Sequence, residues 1–220
     1  MRVYYIDMPA EIPPAIKERW LGELYETKRQ RAQRFKKEEH IISLLVSDRL
    51  VKFALNDYAG ISVGPEDFIF SERGKPYISG GIFFNLSHSG GAAVCAVDKA
   101  EVGADIERVH EVRPEVAKRI MSKAEFGAYK ASGYDKRHFC AIWALKESYV
   151  KFIGTGISYP LTKLSFELNT KGGYKASNIE GARFATFDLP GYAAAVCYKT
   201  EEEPELRKVL FSELLNTNSV

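Results

Sequence analysis

Apolar residues recur along this chain in two rhythms, and each rhythm predicts an element. Met1–Ile6 reads as a short opening strand, and Pro13-Pro14 suits a helix start, with Ile16, Trp20 and Leu24 at near-helical spacing behind it. Ile41, Leu44, Leu45, Leu50, Val51 and Phe53 give an apolar face to a helix from about Glu38 to Tyr58, with Gly60 as its stop. Phe68-Ile69-Phe70 predicts a strand and Gly74-Lys75-Pro76 a turn before another; Ile82–Leu86 and Ala92–Val97 predict strands flanking Ser87-His88-Ser89-Gly90-Gly91. The second half repeats the theme. Val102–Ile106 predicts a strand, Pro114–Met121 a helix, and Lys136–Ile153 a longer helix ended by Gly154-Thr155-Gly156. Leu164–Leu168, Phe184–Phe187 and Ala193–Tyr198 predict strands, with Lys171-Gly172-Gly173 as a hairpin turn. Ala92-Ala93-Val94-Cys95 recurs as Ala194-Ala195-Val196-Cys197. Two readings of that echo stand: small and β-branched residues are common in buried strands, or two α/β halves arose by duplication and form a cleft between them.

Composition narrows the class without naming a function. With 220 residues and 45% hydrophobic content, the chain can bury one large core or two small ones. A charged fraction of 27% and a formal net charge of +2 argue against a coat for nucleic acid. No apolar run approaches a bilayer span, and the N-terminus has neither the long apolar stretch nor the small-residue cleavage site of a secretion signal. Cys95, Cys140 and Cys197 are scattered and odd in number, so neither a disulfide framework nor a zinc cluster is implied; a reducing cytoplasm is the expected setting.

The sharpest chemical signal is Gly103-Ala104-Asp105-Ile106-Glu107. Strand side chains alternate faces, so Asp105 and Glu107 share one side, and paired carboxylates suit a hard cation such as Mg²⁺. Taken alone, the same pair also fits a solvated strand edge. In Trp143-Ala144-Leu145-Lys146-Glu147-Ser148-Tyr149-Val150-Lys151, helical spacing puts Trp143, Glu147 and Lys151 on one face; alone, this is an ordinary Glu–Lys helix pair. Together the segments offer three carboxylates and an ammonium, a set suited to a diphosphate substrate, provided strand and helix face each other. There is no Gly-x-x-x-x-Gly-Lys-Ser/Thr loop and no Gly-x-Gly-x-x-Gly turn. Ser148-x-x-Lys151 has the spacing of penicillin-recognising acyl enzymes, but it lacks their companion motifs and lies well inside a helix.

Phe84–Ser89, Val102–Glu107 and Trp143–Lys151, in that order, with Gly74-Lys75-Pro76 and the basic Lys28–Lys37 stretch before the long helix, closely resemble the signatures of surfactin-type 4′-phosphopantetheinyl transferases over nearly the whole chain. The resemblance implies an α/β (α+β) fold of two similar halves, 1–103 on the nucleotide-binding side and 104–220 on the metal and catalytic side. It makes them an intramolecular pseudo-dimer with its active site in the cleft, acting as a monomer. It implies coenzyme A as co-substrate, Mg²⁺ as cofactor, and an apo acyl or peptidyl carrier protein as acceptor, with no role for nucleic acid or membrane. By matched position, Asp105, Glu107 and Glu147 are the metal ligands, Glu147 also activates the carrier serine, and Lys151 holds the diphosphate. Lys75, Pro76, Ser87 and His88 match positions at the nucleotide end, Lys28 and Arg31 match basic positions near its 3′-phosphate, and Glu125 matches a further carboxylate. Many members carry an arginine where this chain has Ser43, a lost contact of about 1.5–3 kcal/mol if nothing replaces it. Carrier proteins are acidic around their serine, so a helix from Arg108 to Lys123, with Arg108, Arg113, Lys118, Arg119 and Lys123, is the expected docking surface. A non-catalytic coenzyme A- or carrier-binding module of the same fold is the alternative; retention of all three carboxylates and the lysine favours the enzyme.

Overall fold

The computed structural model describes residues 1–156, 159–169 and 173–215. They divide into two compact units: Met1–Ala100 together with the chain from Pro204 onward, and Glu101–Glu203. The expected halves, 1–103 and 104–220, differ from this partition chiefly at the C-terminus, for a reason visible in the sheet described below.

The first unit runs β1 (Arg2–Asp7), α1 (Pro14–Gly22), α2 (Glu26–Arg34), α3 (Glu38–Ala59), β2 (Ile69–Phe70), β3 (Pro76–Tyr77), β4 (Phe83–Ser89) and β5 (Ala92–Asp98). The second runs β6 (Val102–Arg108), α4 (Pro114–Ile120), α5 (Lys123–Ala131), α6 (Lys136–Ile153), β7 (Phe166–Leu168), β8 (Tyr174–Ala176), β9 (Arg183–Leu189) and β10 (Tyr192–Tyr198). Then β11 (Glu205–Lys208) and α7 (Phe211–Leu215) return to the first unit.

Each unit repeats one plan: a strand, helices ending in a long one, a small hairpin, and a longer hairpin. The sheets repeat too, ordered β1-β5-β4 in the first unit and β6-β10-β9 in the second. Such identity of order points to duplication, and the fold is α/β with two like halves. Among the described residues, the first sheet alone gains a strand, because Arg2–Tyr5 pairs in parallel with Glu205–Lys208. That pairing assigns the C-terminal segment to the first unit and overrides sequence proximity.

Hairpin register corrects the reading of the sequence echo. Gly91 precedes β5 and Gly191 precedes β10, so the matching strand positions are Ala92 with Tyr192 and Cys95 with Ala195. Cys95 pairs with Tyr4 and Ala195 with Asp105; Ala93 pairs with Ile6 and Ala193 with Glu107. Asp105 and Glu107 therefore stand where the first unit carries Tyr4 and Ile6, both part of its hydrophobic core. The two acidic residues occupy core-type positions of an ancestral pattern.

Local chemistry explains where the elements fall. The predicted Lys136–Ile153 helix matches α6, and Asp135 caps it by accepting from the Arg137 N–H at 2.9 Å. Strand β4 extends through Ser89, beyond the predicted end at Leu86, because Gly90 and Gly91 both take positive φ (53° and 101°) and close a two-residue hairpin. The predicted Pro114–Met121 helix matches α4, but the wider segment from Arg108 to Lys123, expected as one docking helix, is not one. Arg108 ends β6, the proline at 114 holds Arg113 extended, and Met121 and Ser122 are extended as well, leaving only α4 between them. Helix α5 begins at a capping box in which the Ser122 and Glu125 side chains exchange hydrogen bonds with each other's backbone N–H. Of the predicted turn at Lys171-Gly172-Gly173, Lys171 and Gly172 lie outside the described residues.

Candidate functional site

Strand β6 and helix α6 of the second unit approach unusually closely, and a missing side chain allows it. A Cβ on Gly103 would lie 2.0 Å from the Ser148 carbonyl oxygen and 2.5 Å from the Phe152 amide nitrogen. Backbone on both sides leaves nothing flexible to yield. The next residues on that face of the strand, Asp105 and Glu107, thereby meet the α6 face that carries Trp143, Glu147 and Lys151. Lys151 Nζ sits 2.5 Å from Asp105 Oδ1, and the Trp143 indole N–H donates to Glu107 Oε1 at 2.8 Å. Between these contacts stands Glu147. Burial pushes its carboxyl above the usual range, the Asp105 and Glu107 carboxylates push it further, and the Lys151 ammonium opposes them. Three carboxylates and one cation thus share a field, as strand alternation and helical spacing require.

Among the described residues, no three His, Cys, Asp or Glu side chains converge closely enough to form a ready metal cage. The chemistry of the donor set nevertheless fits a hard divalent cation. All three groups are carboxylates, they crowd enough to raise Glu147, and Lys151 already supplies a positive charge to one of them. Asp105, Glu107 and Glu147 are the residues that would hold such an ion, and its charge would take the place of the Lys151 ammonium beside Asp105.

Glu125, Lys146 and Ser148, of the same unit, make structural contacts. Glu125 forms a fully buried ion pair with Lys146 at 2.6 Å; its second oxygen accepts from the Phe166 N–H at 2.9 Å. Lys146 also donates to the carbonyls of Ile120, Leu161 and Leu164 at 2.9–3.0 Å, so every proton of the ammonium is bonded. Ser148 is fully buried and donates to the Leu145 carbonyl at 2.8 Å, which disposes of the acyl-enzyme spacing. Sequence reasoning gave Trp143 no part beyond its place on the helix face; the signal available was its spacing of four residues from Glu147. The indole stacks on Phe139 and lines a cavity of about 190 Å³ with Glu107, His110, Val112, Val116 and Ile120.

The remaining expected site residues all lie in the first unit. The Lys28 ammonium pairs with the buried Asp48 at 2.6 Å and lies over the Tyr25 ring at 4.8 Å, within an aromatic group that includes Phe68 and Phe70. Arg31 is exposed and lies over Phe35. Lys75 and Pro76 sit on the β2–β3 hairpin, where the Lys75 N–H donates to Ser71 Oγ at 3.0 Å and Pro76 pairs with Phe70. Ser87 is buried on β4, while the neighbouring His88 is exposed, its Nδ1 3.3 Å from Ser43 Oγ. Ser43, expected from the resemblance to stand where many members carry an arginine, is thus the hydrogen-bond partner of an expected nucleotide contact.

Comparison with known proteins finds a matching family model and relatives that span nearly the whole chain. The family model described as the 4'-phosphopantetheinyl transferase superfamily matches residues 101–197, which hold the whole β6–α6 cluster. The chain is 31% identical over 224 residues to 4'-phosphopantetheinyl transferase Sfp of Bacillus subtilis strain 168, covering 98% of this chain and 100% of that protein. A second 4'-phosphopantetheinyl transferase of Bacillus subtilis is 31% identical over 205 residues, covering 90% of this chain and 92% of that one. Among solved structures, a holo-(acyl-carrier-protein) synthase of Bacillus anthracis in complex with CoA (3',5'-ADP) is 19% identical with a TM-score of 0.39, covering 44% of this chain and 93% of that one.

Proposed function

The chain belongs to the 4′-phosphopantetheinyl transferase superfamily, and from that membership and its own acidic cluster we propose that it moves the 4′-phosphopantetheine group of coenzyme A onto a serine of an apo acyl or peptidyl carrier protein, releasing 3′,5′-ADP. The observation that carries this reading is the joint placement of Asp105, Glu107, Glu147 and Lys151 on the facing sides of β6 and α6, with Lys151 2.5 Å from Asp105.

In the proposed reaction the serine Oγ attacks the β-phosphorus of coenzyme A in line. The bond from that phosphorus to the bridging oxygen breaks, and the nucleotide departs with the oxygen. Glu147 takes the serine proton, directly or through a water. Lys151 leaves Asp105 to hold the diphosphate and neutralise the charge that builds on the phosphate of the departing nucleotide. Magnesium held by Asp105, Glu107 and Glu147 would supply the further neutralisation and alignment that phosphoryl transfer demands. The protein's work is positioning and charge balance, so rigid placement of β6 against α6 matters more than any single reactive side chain.

We assign the nucleotide end of coenzyme A to Lys28, Arg31, Lys75, Pro76, Ser87 and His88 of the first unit, with Ser43 reaching it beside His88. The Lys28–Asp48 pair means that a 3′-phosphate competes with a buried carboxylate for that ammonium. The carrier is assigned to α4 and its flanks, where Arg108, Arg113, Lys118, Arg119 and Lys123 are all exposed around the exposed apolar Val116. No helix of the described residues is long and apolar enough to cross a membrane; we assign the protein to the cytoplasm as a monomer, and its three free, buried cysteines are compatible with a reducing compartment.

The test is incubation with Mg²⁺, coenzyme A and a panel of apo carriers, read by intact mass. A gain of one phosphopantetheine arm on the carrier is expected. Binding of coenzyme A or carrier with no mass gain on any of them would establish the non-catalytic module instead.

A further inference from the structure

We propose that Trp143 is a positioning residue, one that fixes the Glu107 carboxylate for metal binding through its indole N–H. The proposal rests on the reading of Glu107 as a metal ligand. Three observations carry it. The Trp143 Nε1 lies 2.8 Å from Glu107 Oε1, joining α6 to β6 across the cluster. The ring is itself held, stacked on Phe139 at 6.4 Å between centroids and 24° between planes. And Trp143 shares its helix face with Glu147 and Lys151, one turn and two turns on, so a single rigid helix sets the donor to Glu107, the third carboxylate and the ammonium.

An indole N–H is suited to this task because it can donate but not accept. It binds a carboxylate oxygen without competing for a cation, and it carries no charge that would repel one. A glutamate on a strand edge otherwise samples several rotamers, and drawing it into a coordination shell means ordering it. A carboxylate already held by a rigid donor avoids that ordering cost. Partners of this outer kind set ligand orientation, and their loss typically weakens metal affinity about 10- to 100-fold.

The experiment uses the full chain and Mn²⁺ as the probe, without coenzyme A or carrier. Free Mn²⁺ is followed by electron paramagnetic resonance during titration of the parent protein, Trp143→Phe and Glu107→Ala. Phenylalanine keeps an aromatic ring against Phe139 and removes only the donor and the second ring. Trp143→Phe is expected to weaken Mn²⁺ binding by about 10-fold or more while its thermal midpoint stays within a few degrees of the parent. A Trp143→Phe protein that binds Mn²⁺ like the parent, while Glu107→Ala binds it weakly, overturns the positioning role and leaves Glu107 a ligand. If Glu107→Ala also binds Mn²⁺ like the parent, the ligand reading itself falls and takes the proposal with it. A second readout does not depend on the fold of a Trp143 variant. The chain has two tryptophans, so in a Trp20→Phe background all indole emission comes from Trp143. Mn²⁺ is expected to quench that emission in step with the resonance titration; emission that ignores a saturating Mn²⁺ concentration overturns the proposal.

Discussion

Asp105 and Lys146 are both charged side chains enclosed by the second unit, and their partners give them opposite meanings. Lys146 is satisfied on every side by Glu125 and three carbonyls, so it holds α6, α5 and the segment around Leu164 together. Removing one half of such a pair leaves the other charge buried, at a cost of about 3–5 kcal/mol. Lys146→Met should therefore lower the urea midpoint sharply, and adding Glu125→Gln should recover part of the loss. Asp105 instead pairs with the partly exposed Lys151 and stands beside Glu107 and Glu147, a crowding that suits the proposed metal site. Asp105→Asn and Glu147→Gln are expected to cut carrier modification by about 100-fold or more, read by intact mass, with the melting midpoint unchanged or raised. The first unit holds a carboxylate of a third kind. Burial favours a protonated Asp57, but hydrogen bonds from Arg207, Tyr4 and Arg2 outweigh it and hold the carboxyl below its usual range. A depressed acid stabilises the fold above its unfolded pKa and loses that effect as pH falls through the folded value. The difference in melting midpoint between the parent and Asp57→Asn should thus be present at pH 6 and shrink as pH falls below about 4.

At the scale of elements, the site depends on how near a strand can come to a helix. Gly103 sets that distance, and Gly103→Ala pushes against the Ser148 carbonyl, the Phe152 amide and the Phe152 Cβ. Overpacking of this kind costs about 1–3 kcal/mol, but the larger effect should be on activity, since the shift carries Asp105 and Glu107 away from Glu147 and Lys151. Transfer is expected to fall far more than stability, measured as turnover beside urea unfolding of the same preparation. Much of this arrangement was legible in the chain. Period-two alternation put Asp105 and Glu107 on one face, period 3.6 put Trp143, Glu147 and Lys151 on another, and the α6 boundaries follow from Asp135 and Gly154. What periodicity could not supply was the approach of the two faces or the partner of the Trp143 indole, because both are contacts between segments far apart in sequence. Pro114–Met121 was legible as α4, but the wider Arg108–Lys123 helix expected for docking was not there, because Pro114 and the capping Ser122 bound α4 on either side. The echo of Ala-Ala-Val-Cys misled by two residues, since strand positions two apart face the same way and can trade places in a pattern of small residues.

At the scale of the whole molecule, duplication and return of the chain explain the partition into units. Both sheets share the same three-strand order, and only the first is completed by a fourth strand, β11, from the far end of the sequence. That strand was illegible beforehand because Glu205-Leu206-Arg207-Lys208 is short and mostly charged, as an edge strand often is. Its contribution is testable. In a chain ended after Glu203, hydrogen exchange should show β1 amides losing protection, with those of β6 and β10 keeping theirs. The return of β11 also bears on how the protein is made. A ribosome must deliver all of Glu101–Glu203 before β11, the second neighbour of the first strand, emerges, a wait of roughly 5–20 s at ordinary elongation rates of about 5–20 residues per second. The unit begun first is finished last, and until then the outer rim of β1 stands bare to any other nascent chain with a strand to offer.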